Sequence, residues 1–436
     1  MSKSIKNREE ILAKLGIASL NDMQNEAQFA IHSNPEVILL SPTGTGKTLA
    51  FLLPLLSELR MDIEGVQLLI LAPSRELAIQ IEQVVREMGT GFKANVVYGG
   101  RPISKDKMEL KSIPSILIGT PGRIADHIRR ETIDVDTISY LVLDEFDKSL
   151  EIGFEDDMEE IISSIKHRDK IILTSATEDI EIPKFVGIDS PLKLDFLDQA
   201  SDKLNIELVI SPVKDKLETL VEILYHLGNQ PGIIFCNYKV SIDRISEYLT
   251  ENGIEHGTFY GGMEQIERER ALIKFRNGTH QLLLATDLAA RGIDVPEIKF
   301  IIHYHLPHRS QEFTHRNGRT ARMKRDGKAI VIKWVEEHLP EFIGELPILN
   351  IDDKQTLTSS DWETLFISGG RKDKISKGDI VGLFLKQADV KVENLGNIEL
   401  KNDCAFVAVR SKKIDKLIDI VNNSKLKKKK VRIYKI

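Results

Sequence analysis

Val37-Ile38-Leu39-Leu40-Ser41-Pro42-Thr43-Gly44-Thr45-Gly46-Lys47-Thr48 runs from four apolar residues into a glycine-broken loop, and Leu49-Ala50-Phe51-Leu52-Leu53 follows with helical character. A short strand without polar alternation suits a parallel sheet covered on both faces. Glycines let the backbone N–H groups of the loop turn inward at the start of a helix, where the peptide dipoles also favour an anion. Thr43, Gly44, Thr45 and Gly46 therefore read as a cradle for phosphate oxygens. Lys47 is placed to reach the outer phosphates, and the Thr48 hydroxyl to hold Mg2+. Ser41 stands where the usual spacing has its first glycine.

Outward from this loop, similar apolar runs recur at 68–72, 115–119, 140–144 and 170–174, with charged amphipathic stretches between them. A second series occupies 232–236, 258–260, 281–285, 300–304 and 329–333. Strands alternating with helices predict two successive α/β units with parallel sheets, joined by a polar linker near 197–205. Residues 339–357 break the pattern with Pro340, Pro347 and Asp352-Asp353-Lys354. A third unit then reads strand, helix (377–386), two strands (398–400 and 405–409), helix (414–421) and strand (431–434), the split-βαβ order. The expected domains are 1–197, 206–338 and 358–436.

Charge follows the same division. The chain carries a net −6, but residues 358–436 hold 18 Lys and Arg against 10 Asp and Glu, a local +8. A basic appendage on an acidic body points to a polyanionic partner for the appendage. With 42% apolar and 29% charged residues the chain is globular, not disordered. Cys236 and Cys404 are its two cysteines, which excludes a disulfide framework and a Cys-ligated metal and fits a reducing compartment. No apolar run approaches the ~18 residues of a membrane span, and Met1-Ser2-Lys3-Ser4 opens no signal-peptide core. A cytoplasmic protein without membrane partners is expected.

The strands of the first unit end in polar clusters: Pro73-Ser74-Arg75-Glu76-Leu77, Gly119-Thr120-Pro121-Gly122-Arg123, Leu143-Asp144-Glu145-Phe146-Asp147 and Ser175-Ala176-Thr177. A strand-terminal Asp after a phosphate loop holds Mg2+, and an adjacent Glu can deprotonate an attacking water. The second unit adds Phe235-Cys236-Asn237, Thr286-Asp287-Leu288-Ala289-Ala290-Arg291-Gly292-Ile293-Asp294 and His315-Arg316-Asn317-Gly318-Arg319-Thr320-Ala321-Arg322. Ligands of open α/β sheets bind beyond the carboxyl ends of strands, where all these clusters lie.

In this order the clusters resemble the motif set of the DEAD-box RNA helicases, over roughly residues 15–335. The resemblance implies two tandem RecA-like domains that close together on ATP and single-stranded RNA. It implies that Gln24 reads adenine, that Asp294 contacts the ribose, and that Lys47, Thr48, Asp144 and Glu145 serve phosphate, metal and water. It further implies that Ser175 and Thr177, with Asp147 and His315, couple hydrolysis to strand separation, and that Arg319 and Arg322 are arginine fingers. Arg75, Gly100, Thr120, Arg123, Gln265, Arg268 and Thr286 match RNA-backbone contacts. The chain departs from the pattern at Phe146, where alanine is usual, at Asn21, where threonine is usual, and at Asn317 and Ala321. Its first aromatic is Phe29, so no aromatic precedes Gln24. Phe146 is expected to pack, not react.

The third unit resembles the RRM-like RNA-binding domain of bacterial DbpA-type helicases, which implies binding of large-subunit ribosomal RNA, work in ribosome biogenesis and contact with pre-ribosomal particles. Arg371, Lys372 and Lys374 are its candidate RNA contacts. Phe366 and Phe406 fall on expected strands, but the paired aromatics of an ordinary RRM are not evident, so basic loops are expected to carry recognition. Two other readings stay open from sequence: an RNA clamp that closes on ATP without unwinding, and a DNA-directed motor of the same superfamily.

Overall fold

The computed structural model describes residues 7–178, 181–197, 204–287, 298–320, 327–351, 354–410 and 412–436. The first unit is a parallel sheet of β1 (Glu36–Leu40), β2 (Leu68–Leu71), β3 (Ala94–Val97), β4 (Ile116–Gly119), β5 (Tyr140–Leu143), β6 (Lys170–Ser175) and β7 (Leu192–Asp195), in the order β3-β4-β2-β5-β6-β1-β7. Leu39, Leu68, Ile70, Ile116 and Val142 bury into one face, and Leu69, Leu117, Leu141 and Leu173 into the other. Helices cover both faces, which is why the central strands are uninterrupted apolar runs. The order places β6 between β1 and β5, so the phosphate loop and the Asp144-Glu145 pair stand about 10 Å apart across it.

The second unit begins with β8 (Leu204–Ser211), followed by β9 (Gly232–Phe235), β10 (Gly257–Phe259), β11 (Leu282–Ala285), β12 (Phe300–His303) and β13 (Gly327–Trp334), all parallel in the order β10-β11-β9-β12-β13-β8. The expected linker over 197–205 thus ends in strand: Leu204 and Asn205 already pair with Gly327 and Lys328.

The third body is antiparallel, with β14 (Trp362–Ile367), β15 (Leu395–Leu400), β16 (Ala405–Arg410) and, after a small hairpin of β17 (Lys425–Leu426) and β18 (Lys429–Lys430), β19 (Ile433–Lys435). Its helices Lys377–Gln387 and Ile414–Val421 pack on the face made by Leu365, Ile367, Val407, Val409 and Ile433.

The described residues of 339–351 and 354–357 are tied to the second sheet. Pro347 O and Leu349 N bond the edge of β8, Gln355 N donates to Tyr225 O, and Leu349, Ile351 and Leu357 join the core of the second sheet. The third body then docks through a buried polar seam. Thr364 has no exposed surface, and its hydroxyl meets Asn277 Nδ2 at 3.1 Å and Thr279 Oγ1 at 2.7 Å. Beside it Arg276 pairs with Glu399 at 3.0 Å, and Lys401 bridges Glu399 and Glu269 at 2.7 Å each. Burial works against the charge of Glu399, but Arg276 and Lys401 hold its carboxyl below the usual range.

Candidate functional site

In the first unit the expected nucleotide residues collect at the carboxyl ends of β1, β5 and β6. Asn21 caps the helix Asp22–Ser33, accepting from Gln24 N at 2.8 Å, while Gln24 Oε1 accepts the Asn21 N–H at 3.1 Å. The same two side chains tie down the loop: Asn21 Nδ2 donates to Thr45 O at 3.0 Å and Gln24 Nε2 to Gly46 O at 3.3 Å. Gly46 has φ +89°, and a Cβ there would sit 2.4 Å from Gln24 Nε2. Left-handed backbone and close approach both call for glycine. The departure at Asn21 therefore keeps a capping side chain and adds an amide donor to the loop.

Lys47 opens the helix Lys47–Glu58, and its Nζ donates to the carbonyls of Ser41 (2.5 Å) and Pro42 (3.0 Å). Thr45 Oγ1 donates to Pro42 O at 2.9 Å and lies 2.7 Å from Ser41 Oγ. Gly44 also has positive φ, at +83°, and Thr43 and Thr48 are half-buried on either side. Backbone N–H groups, an ammonium and a hydroxyl at one helix start can hold an anion with its counter-cation.

Asp144 and Glu145 follow β5. Burial first, and the neighbouring Glu145 second, push the Asp144 carboxyl up to about 6, against the pull of Thr174 and Lys47. Thr174 Oγ1 donates to Asp144 Oδ1 at 2.6 Å, and Glu145 N lies 3.1 Å from both that oxygen and Thr174 Oγ1. Glu145 adopts φ +46°, an uncommon conformation for a non-glycine residue, at the turn from strand to helix. A buried carboxylate whose ionisation is opposed, near a threonine hydroxyl, is a hard-oxygen donor set that fits Mg2+. Phe146 is fully buried in the core beneath β5 and β6, where burying a phenyl ring contributes about 1.5–3 kcal/mol. Asp147 is buried one residue further on, 3.7 Å from Lys148 Nζ. Ser175 Oγ, at the end of β6, donates to Thr177 O at 2.9 Å and accepts from Thr177 N at 3.0 Å, making a closed turn.

Arg75, Gly100, Thr120 and Arg123 form a second group, beyond β2, β3 and β4. Gly100 has φ +85°, and a Cβ there would lie 2.4 Å from an Arg75 guanidinium nitrogen, so glycine lets Arg75 lie against the backbone. Thr120 stands at the N-cap position of the helix Pro121–Arg129, with its carbonyl accepting from Arg123 N and Ile124 N. Arg123 Nε donates to Asp106 Oδ2 at 2.7 Å, and Asp106 also meets Arg101 and His127.

In the second unit, Thr286 N donates to Phe259 O at 3.3 Å, and the Arg268 guanidinium lies 4.9 Å from the Phe259 ring. Gln265 starts the helix Gln265–Arg276 that carries Arg268. His315 and Arg319 are both buried, at the end of and just after the helix Ser310–Asn317. Between them Arg316, 1% exposed, binds Asp287 with two nitrogens (2.6 and 2.5 Å), His305 O at 2.7 Å and Asn237 Oδ1 at 2.8 Å. Asn317 Oδ1 accepts from His303 Nε2 at 3.0 Å, and burial pushes the His303 imidazole down to about 3, so that ring stays neutral. Asp294 and Arg322 lie outside the described residues.

On the third body Arg371, Lys372 and Lys374 are exposed on one turn. The lysine-rich end is folded, not a tail: Lys429 pairs with Asp373 at 2.8 Å and Lys427 with Asp379 at 2.9 Å, while Lys425, Lys428 and Lys430 stay exposed. The expectation that paired aromatics are lacking is corrected. Phe366 contacts Phe406 (centroids 5.5 Å apart) and Tyr434 (4.9 Å) on the sheet face away from the helices. Tyr434 lies within the strand expected at 431–434, but that it faces Phe366 follows only from the pairing of β14 with β19.

Three families match in series: DEAD/DEAH box helicase at residues 21–184, helicase conserved C-terminal domain at 215–324 and DbpA RNA binding domain at 364–435. The ATP-dependent RNA helicase DbpA of Bacillus subtilis is 31% identical over 97% of this chain and 96% of its own length. The protein of that name from Escherichia coli is 29% identical over 97% and 95%. Among solved structures, S. cerevisiae Dbp5 bound to RNA and ADP BeF3 matches 81% of this chain and 97% of its own, at TM-score 0.68 and 26% identity. Mss116p bound to ssRNA and AMP-PNP matches 81% and 78%, at TM-score 0.71 and 25% identity.

Proposed function

This chain belongs to the DEAD-box ATP-dependent RNA helicases of the DbpA type, and from that premise we propose that it remodels ribosomal RNA during large-subunit assembly. The observation that carries the ribosomal target is the third body: a DbpA-type RNA-binding fold with Arg371, Lys372 and Lys374 exposed on one turn. Pre-ribosomal particles in the cytoplasm are the proposed setting; among the described residues no helix is long and apolar enough to cross a membrane.

We assign nucleotide chemistry to 1–197, the second half of the helicase to 206–338, and target choice to 358–436. The loop N–H groups and Lys47 hold the phosphates, Gln24 and Asp294 hold the nucleoside, and Thr48 and Asp144 hold Mg2+. Bound there, Mg2+ would neutralise charge on the phosphate oxygens. Glu145 takes the proton of the attacking water. Arg319 and Arg322 complete the site when the two units close on RNA gripped by Arg75, Gly100, Thr120, Arg123, Gln265, Arg268 and Thr286. Ser175 and Thr177, with Asp147 and His315, relay that closure. Backbone contacts make the grip indifferent to sequence.

Lys47→Ala is expected to weaken ATP binding at least ~10-fold, since a charge-assisted contact contributes about 1.5–3 kcal/mol. Isothermal titration giving the wild-type affinity would sink the phosphate assignment.

For the target, a variant with Arg371, Lys372 and Lys374 all changed to alanine should keep its ATPase rate at saturating generic RNA. Its activation by low concentrations of large-subunit ribosomal RNA should fall, with a shallower salt dependence. An unchanged preference for ribosomal RNA over an unrelated RNA of equal length would show that this turn does not choose the target.

A further inference from the structure

Asp106 belongs to none of the clusters that the sequence singled out, yet it is a carboxylate with no exposed surface at the end of the first unit where Arg75, Gly100, Thr120 and Arg123 gather. Its Oδ2 accepts from Arg123 Nε at 2.7 Å and lies 3.2 Å from His127 Nε2, while its Oδ1 accepts from Arg101 Nε. The two arginines also interlock, because Arg123 Nη2 donates to Arg101 O. Arg101 is braced from two further sides, by Glu109 Oε2 at 2.7 Å and by the Tyr98 ring at 5.2 Å. His127 is fixed by Thr132 Oγ1 at 2.6 Å.

We propose that Asp106 is a positioning residue for RNA gripping, holding the Arg123 guanidinium in one orientation so that its remaining N–H donors face the RNA backbone. The proposal rests on the reading of Arg123 as a backbone contact and adds what aims it.

Three features carry it. A buried ion pair is a poor way to gain stability, because desolvation offsets most of the attraction, but it does fix geometry. Arginine has five N–H donors in a rigid fork. Arg123 spends its Nε–H on Asp106 and one Nη2–H on Arg101 O; the nearest further carboxylate is Asp126, 3.8 Å from Nη1. Three donors remain on a side chain that keeps 12% of its surface exposed. A side chain ordered before binding does not lose that freedom on binding, so pre-ordering tightens the complex.

The test measures anisotropy of a labelled single-stranded oligouridine with the full chain and a non-hydrolysable ATP analogue. Asp106→Asn, Arg123→Ala and the double variant are compared, with analogue affinity as the readout of an intact nucleotide site. Asp106→Asn is expected to weaken RNA binding on the order of 10-fold with analogue affinity unchanged. The double variant should bind RNA no more weakly than Arg123→Ala alone, because Asp106 acts through Arg123. If Arg123→Ala binds RNA like the wild type, the backbone-contact reading fails. If Arg123→Ala weakens binding but Asp106→Asn does not, or the two losses multiply, that reading stands and the positioning role is overturned. Should Asp106→Asn fail to fold, Arg123→Lys decides: it keeps the charge but cannot hold both contacts. It is expected to bind RNA as weakly as Arg123→Ala, and wild-type affinity would overturn the proposal.

Discussion

Arg319→Ala should lower RNA-stimulated ATP turnover by about 10³- to 10⁵-fold while nucleotide affinity stays within a few-fold of wild type. The expectation comes from placement. Arg319 sits just beyond the helix Ser310–Asn317, and its N–H donates to Arg316 O at 3.0 Å. Arg316 in turn is locked by Asp287, Asn237 and His305, so the turn that presents Arg319 is set before any nucleotide arrives. A cation whose backbone is fixed in advance needs less reorganisation to stabilise transition-state charge. Single-turnover ATPase measured beside nucleotide titration separates the two effects. Equal losses of binding and turnover would remove Arg319 from the chemistry.

Glu145→Gln should stall hydrolysis by about 10²- to 10⁴-fold with ATP and RNA still bound, because an amide cannot take the proton from water. The backbone of Glu145 is held by Asp144 and Thr174, so the substitution leaves its position intact. It also removes one of the two causes that push the Asp144 carboxyl up to about 6. Asp144 becomes easier to ionise, and nucleotide affinity should hold or tighten. Turnover at the wild-type rate would mean that another base acts.

The parts of the fold legible in the sequence are those with the densest apolar signal. In the two parallel sheets the missed strands are β3, β7 and β8, and each lies at the edge of its sheet; the short hairpin of β17 and β18 was missed as well. β3, β7 and β8 carry polar residues such as Asn95, Lys193 and Glu207, which interrupt the apolar signal. The proposed phosphate and metal residues lie within a few positions of strand ends, where the sequence displays them, whereas Gln24, on the helix Asp22–Ser33, was reached only through the family resemblance. Asp106 and Arg316 were not, because each acts on partners 17 to 79 residues away that only the sheet order brings close. Asn21 looked like a lapse from its family and proved to be a capping residue that also grips the loop.

Thr364, Asn277 and Thr279 also bear on how portable the RNA-binding body is. Fused proteins often treat such a body as an interchangeable cassette. Here an exchange of residues 358–436 would strip the seam of its partners: Asn277 and Thr279 would lose the Thr364 hydroxyl, and Arg276 and Glu269 would lose Glu399 and Lys401. Buried polar groups left unpaired cost about 1–3 kcal/mol each, an appreciable fraction of a domain's whole stability. A graft that retained Thr364, Glu399 and Lys401 in register would keep the seam closed, so the basic turn can be substituted while these three side chains stay as they are.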